Sequence, residues 1–240
     1  MSKANFEETF EIYLFTEDSV DDNYSKLSEF ISYLKFNKVN LPYKFSYVGR
    51  GDALIPELTL NENILMDFTP NSLTASKEIQ FQEFLEEQQN KHLLNLYQKI
   101  ASAHILPTNS DAQMRKVSSL IKSLIFEGQF IFLEDPETGL DQETLALFID
   151  GLRAQITQHK QNVFIFSRHT DLWMPHADRH VKREKDYSFS ITTVAKNWKW
   201  KEDREKFYNL KNNQTDSSGK IDFHLPKSVT KKISPKKVAA

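Results

Sequence analysis

The sequence predicts an α/β protein built on a mainly parallel sheet, and three observations carry that expectation. First, residues 130–133 (FIFL) and 162–166 (NVFIF) run apolar without alternation, as strands covered on both faces of a parallel sheet do. Second, segments of helical periodicity lie between the apolar runs, and strands alternating with helices build parallel sheets. Third, the run at 130–133 ends in two carboxylates, Glu134 and Asp135, followed by Pro136 and a Gly-Leu-Asp turn. Ligand chemistry in open α/β sheets gathers at the carboxyl ends of strands, where acidic residues hold Mg²⁺ and orient a water for phosphoryl transfer.

Taken in order, residues 11–15 (EIYLF) read as a short apolar strand. Leu27, Phe30, Ile31 and Leu34 recur at helical spacing, so a helix starts near Asn23 or Ser25. The polar segment TEDSVDD (16–22) separates the two. Residues 45–48 form a second strand, followed by GRGDALIPELTLNENI (49–64) and by a charged helical stretch over about 76–103. Thr108, Asn109, Ser110 and Asp111 offer N-caps for a helix over 110–124. After the strand at 130–133, an amphipathic helix over 142–159 carries Leu145, Phe148, Ile149 and Leu152 on one face, and the strand at 162–166 ends at Ser167, Arg168 and His169. From about residue 191 apolar density falls, and from about 210 the chain is polar and basic, composition expected of a disordered tail. The expected organisation is therefore a folded domain over 1–190 and a C-terminal extension over 191–240.

Composition narrows the function. The 240 residues suffice for one good core. Thirty-one basic against 33 acidic residues give a net charge of -2, which is no nucleic-acid signature, so no nucleic-acid partner is expected. With no cysteine, disulfide and thiol chemistry are excluded. No stretch approaches the roughly 20 apolar residues of a membrane span, and the first residues lack the apolar core of a secretory signal. A cytoplasmic protein is expected, with any membrane association (peripheral, on the cytoplasmic face of the inner membrane) made through a partner. Six glycines are few for a nucleotide-binding chain, whose loops consume them.

Several motifs together resemble ABC-type ATPases. FIFLEDPETGLD (130–141) is similar to the Walker B and D-loop region of that family, four apolar residues followed by D-E-P-T-S-G-L-D, with the acidic pair inverted to Glu134 then Asp135. YVGRGDALIPELTLNENI (47–64) resembles the Q-loop region, with Arg50 in place of the Gln that touches metal and attacking water. NSDAQMRKVSSLIKSLI (109–125) resembles the signature segment and its helix; Ser110 and Gln113 fit, while Asp111 and Ala112 replace the two glycines. SRHTDLWMPHADRHV (167–181) resembles the switch region, with His169 the nearest histidine, although spacing back from Ala177, Asp178 and Arg179 favours Arg168. The four matches occur in the family's order. They imply a P-loop-NTPase-like fold of the ABC ATPase type, with a helical subdomain inserted at about 56–106.

The departure lies at the front. A P-loop needs G-x-x-x-x-G-K-[ST], because backbone N–H groups must curl around the phosphates and a Lys must reach them. TEDSVDD occupies that position with no glycine and no lysine, and Lys26 comes late. Glu17, Asp18, Asp21 and Asp22 instead put carboxylates where a triphosphate would sit. Each within about 5 Å of a phosphate opposes it by a few kcal/mol, and a helix dipole of about half a charge does not offset them. The chain also reaches its Q-loop-like segment early, where the family spends more residues on adenine-stacking strands. No cofactor is expected, and ATP with Mg²⁺ only if the chain is an active but atypical enzyme.

Blander readings stand beside these. Glu134 and Asp135 read as solvated or capped carboxylates outliving their chemistry, and His169 as a structural hydrogen-bonding residue. The acidic cluster at 17–22 lacks calcium-loop spacing. His176 and His180 are four apart and would share a face if helical, without an acidic third ligand. Trp173, Trp198 and Trp200 are candidates for partner binding. The tail lysines (Lys227, Lys231, Lys232, Lys236 and Lys237) read as a solubilising terminus, with a contact to acidic lipid headgroups or RNA as the alternative. The resemblance implies a pseudo-ATPase working with an ABC-type ATPase subunit, a membrane permease or both, through an interface at Gly139, Leu140 and Asp141. An active enzyme with Glu134 and Asp135 exchanging roles is one alternative. A scaffold protein unrelated to transport is the other.

Overall fold

The computed structural model describes residues 10–16, 25–39, 44–51, 53–66, 91–126 and 128–194. All belong to a first compact unit, Met1–Lys196; the second, Asn197–Ala240, holds none of them. The acidic segment 17–22, Trp198, Trp200, the tail lysines and most of the charged stretch 76–103 therefore lie outside the described residues.

The six described strands are β1 (Ile12–Phe15), β2 (Phe45–Val48), β3 (Phe130–Glu134), β4 (Asn162–Phe166), β5 (Arg179–Arg183) and β6 (Phe189–Thr193). They form one sheet in the order β2-β3-β4-β1-β5-β6. The first five are parallel, and β6 returns antiparallel along β5. The helices are α1 (Lys26–Phe36), α2 (Leu60–Leu65), α3 (Lys91–Tyr97), α4 (Ala112–Ile125), α5 (Gln142–His159) and α6 (Thr170–Trp173).

Side chains alternate across a strand, and here the alternation sorts them by chemistry. Tyr13, Phe15, Phe130, Phe132, Phe164 and Phe166 share one face with Phe30, Tyr33 and Leu34 of α1. Phe30 stacks on Phe132 with ring centroids 5.0 Å apart, and Phe15 on Phe166 at 4.2 Å. Ile12, Leu14, Ile131, Leu133, Val163 and Ile165, at the intervening positions, are fully buried on the other face. That face is α4's, because Ser46, between Phe45 and Tyr47, bonds through its hydroxyl to Ser123 of α4 at 2.9 Å. Burial on both faces is why these strands read as continuous apolar runs.

Local signals set the helix ends. Ser25 caps α1 by accepting from the Ser28 N–H. Thr59 and Glu62 form a complete capping box on α2. Asp111 and Asp141 cap α4 and α5 by accepting from the Met114 and Thr144 N–H groups, both at 2.7 Å. Helix α3 stops at Tyr97, so the helix expected up to 103 ends in turns. Two strands escaped the sequence reading. β5 is interrupted by polar residues, with only Val181 buried in its centre, and β6 is a half-exposed edge strand continuing to Thr193.

Candidate functional site

The carboxyl ends of β2, β3 and β4 lie side by side, and the residues just beyond them converge on Asp135. This residue has a positive φ of 43°, a conformation Asp tolerates better than most residues. Its N–H donates to the Phe166 carbonyl at 2.7 Å, tying the end of β3 to the end of β4. Its carboxylate is buried, with 2% of the side chain exposed. Oδ2 accepts from Arg50 Nε at 2.7 Å and pairs with Arg168 Nε at 3.3 Å, while Oδ1 accepts from the Arg168 N–H at 3.1 Å. Both arginines are about half exposed, at 48% and 51%. Asp135 is therefore not solvated: it is the buried centre of an ion triad, capped by two arginines.

Glu134 differs from its neighbour. It ends β3 half-buried and accepts from the Tyr47 hydroxyl at 3.0 Å. The Tyr47 ring stacks on Phe132 at 5.2 Å. Burial, then the hydrogen bond to and charge of Glu134, push the Tyr47 phenol up to about 12. The hydroxyl stays a donor at neutral pH.

A second buried carboxylate was not foreseen. Glu137, on the turn after Asp135, accepts from Ser167 Oγ at 2.6 Å and from Trp173 Nε1 at 2.8 Å. Ser167 Oγ in turn accepts from the His169 N–H at 2.9 Å. Trp173 is fully buried and meets Phe148 edge-on. It is a core residue, which corrects its expected part in partner binding. Only the departure of Glu137 from the family's Thr hinted at this network, and nothing in the linear sequence links position 137 to 173.

At the switch position Arg168 meets the acid, as its spacing suggested, whereas His169 is exposed and joins the site through its backbone. His176 lies in a short 3₁₀ turn and His180 in β5, where its Nε2 is 3.2 Å from Thr16 Oγ1. The two share no helical face, because the intervening residues break into a strand. Among the described residues, no group of three or more His, Asp or Glu is arranged to hold a metal ion.

The signature-like residues meet the D-loop-like turn within the chain. Gln113 Nε2 donates to Asp141 Oδ2 at 2.9 Å, and Gln113 Oε1 accepts from the Asp141 N–H at 2.9 Å. The Thr144 N–H above all holds the Asp141 carboxyl below the usual Asp range, against the opposing effect of burial and with help from the Gln113 and Thr144 side chains. Ser110 closes the preceding turn onto the Pro107 carbonyl at 2.8 Å. Gly139 has φ 82°, the left-handed conformation that favours glycine, and Leu140 donates its N–H to the Glu137 carbonyl. Gly139, Leu140 and Asp141 thus have local structural work independent of any interface. A cleft of about 230 Å³ beside β2, lined by Tyr47, Ser119, Ser123 and Phe126 among others, is smaller than the roughly 300–1,000 Å³ of ordinary ligand pockets.

By sequence the chain matches no family model and no curated protein. Solved structures do match. An ATP-binding subunit of an ABC transporter aligns over 84% of this chain and 83% of that one, with TM-score 0.53 and 13% identity. An ATP-binding cassette, solved as a dimer in a post-hydrolysis state with ADP and Pi, aligns over 78% and 86%, with TM-score 0.50 and 13% identity. At that identity the likeness is one of architecture: the chain has a mostly parallel, P-loop-NTPase-like α/β fold of the kind found in ABC ATP-binding domains.

Proposed function

We propose that this chain is a non-hydrolysing homologue of ABC-type ATPases, a structural or regulatory subunit of a transporter-like or other membrane-associated complex. The observation that carries the reading is the Arg50–Asp135–Arg168 triad. A carboxylate that works in phosphoryl transfer must reach a metal or a water. Asp135 is buried, and both its oxygens already accept from arginine donors. The donor set also fails to fit Mg²⁺, because two guanidinium groups stand where a cation would need further oxygen ligands. The sequence at 16–22, without glycine or lysine and rich in carboxylates, agrees with this. The parallel sheet with helices between β2 and β3 remains as a platform for a partner, which we take to be an ABC-type ATPase subunit, a permease or both, on the cytoplasmic side of the membrane.

The atypical-enzyme reading has one observation in its favour. Glu134 is half-buried and takes a hydrogen bond from the Tyr47 hydroxyl, leaving it lone pairs for a metal. It would still lack a second acid and a phosphate-binding loop. Calorimetric titration of the purified chain with Mg-ATP separates the two. We expect no binding tighter than millimolar and no phosphate release; micromolar affinity would overturn the proposal.

A further inference from the structure

Arg50, Asp135 and Arg168 lie on three different segments: the loop after β2, the end of β3 and the turn after β4. We propose that the triad is a built-in clasp, fixing the loop after β2 to the end of the sheet with no ligand bound. It deepens the reading of this site as non-hydrolysing, since the acid is committed to arginines.

Further contacts show how far the clasp reaches. Lys116, buried at 2% exposure on α4, donates from Nζ to the Gly49 carbonyl at 3.1 Å, so the loop is held from the helix side beside the residue that Asp135 holds. Farther along, Asn63 is fully buried on α2. Its amide donates to the carbonyls of Ile55, Leu58 and Thr59 at 3.0 Å, and its oxygen accepts from the Ile55 N–H at 2.7 Å. One end of the loop is therefore tied to β3 by charge and the other to α2 by hydrogen bonds. Ligands in this class of sheet bind at the strand ends. Here side chains of the protein itself bridge those ends, so the loop and α2 need no ligand to stay seated. The arginines are half exposed, so the attraction alone is modest. Removing one, however, leaves Asp135 buried with fewer donors, and that loss is the larger one.

The test is hydrogen exchange, read peptide by peptide on the full-length chain without nucleotide. The variants are Arg50→Gln, Asp135→Asn and the double substitution. We expect amides in residues 49–60 to exchange about tenfold faster in either single variant, the effect of losing a charge-assisted bond. The double variant should exchange no faster than Asp135→Asn, because Arg50 acts through Asp135. Residues 179–193, on the far edge of the sheet, should keep the wild-type rate. Unchanged exchange at 49–60, or equal acceleration at 179–193, overturns the proposal. If Asp135→Asn fails to fold, Arg50→Gln decides alone, since its side chain is half exposed. Unchanged exchange would sink the clasp and leave the calorimetric result untouched; micromolar Mg-ATP affinity would sink the non-hydrolysing reading and leave the exchange result standing.

Discussion

Glu137 shows how much one buried residue organises. Its two oxygens take the Ser167 hydroxyl and the Trp173 indole, so the turn after β3, the turn after β4 and α6 share one acceptor. Replacing it with glutamine keeps the shape but turns one acceptor into a donor. One of two buried donors is then left without a bond, at a cost of about 1–3 kcal/mol. Urea unfolding of Glu137→Gln should show a loss in that range, with a change in tryptophan emission. A loss below about 0.5 kcal/mol would mean that the two hydrogen bonds to Glu137 contribute little to stability. The sequence pointed to Glu134 and Asp135 because they end an apolar run. It could not name the partners of Glu137, because they lie 30 and 36 residues away and meet it only after β3 and β4 pair.

At the scale of elements, helices α4 and α5 begin with the same device, an Asp whose side chain caps the first turn, and Gln113 bridges the two starts. Replacing Asp141 with alanine should cost about 1 kcal/mol, the usual value of such a cap. The pH dependence has a definite sign. The folded state holds this carboxyl below its ordinary range, so its contribution is present above the unfolded value and is lost as pH falls through the folded one. Thermal melts of the wild type should weaken on acidification below about pH 4, and Asp141→Asn should flatten that slope. An identical slope in the variant would show that the ionisation of Asp141 does not contribute to the acid dependence. Gln113→Ala should leave each cap in place but loosen the junction, visible as faster exchange in 139–145 alone; exchange no faster than in wild type there would count against the bridge. In the sequence Asp111 is one of four N-cap candidates and Asp141 reads as an interface residue, although a carboxylate just before an amphipathic run is a local cap signal. The bridge between their helices was not legible there, because it depends on how α4 and α5 pack.

For the whole molecule, the decisive property is a sheet with an aromatic face and an aliphatic face. Phe164 sits centrally on the first, within 6.2 Å of the rings of Tyr13, Phe15, Phe30, Tyr33 and Phe130, and Ile131 is fully buried on the second. Phe164→Asp or Ile131→Asp would bury a charge with no partner, and in practice the chain would unfold to avoid it. Circular dichroism should show loss of cooperative melting in both, and a cooperative melt in either would refute the two-sided burial. Apolar runs at β1, β3 and β4 were legible by themselves, because a strand buried on both faces cannot alternate. So were the helices at α1, α4 and α5, and the likeness of 47–181 to ABC-type ATPases agrees with the fold. β5 and β6 were not legible, because their pairing comes from position in the sheet and not from composition. The sequence determined which residues would lie near the strand ends. The tertiary structure alone decided that Arg50 and Arg168 would close on Asp135, because an ion pair spanning 85 and 33 residues exists only once β2, β3 and β4 stand side by side.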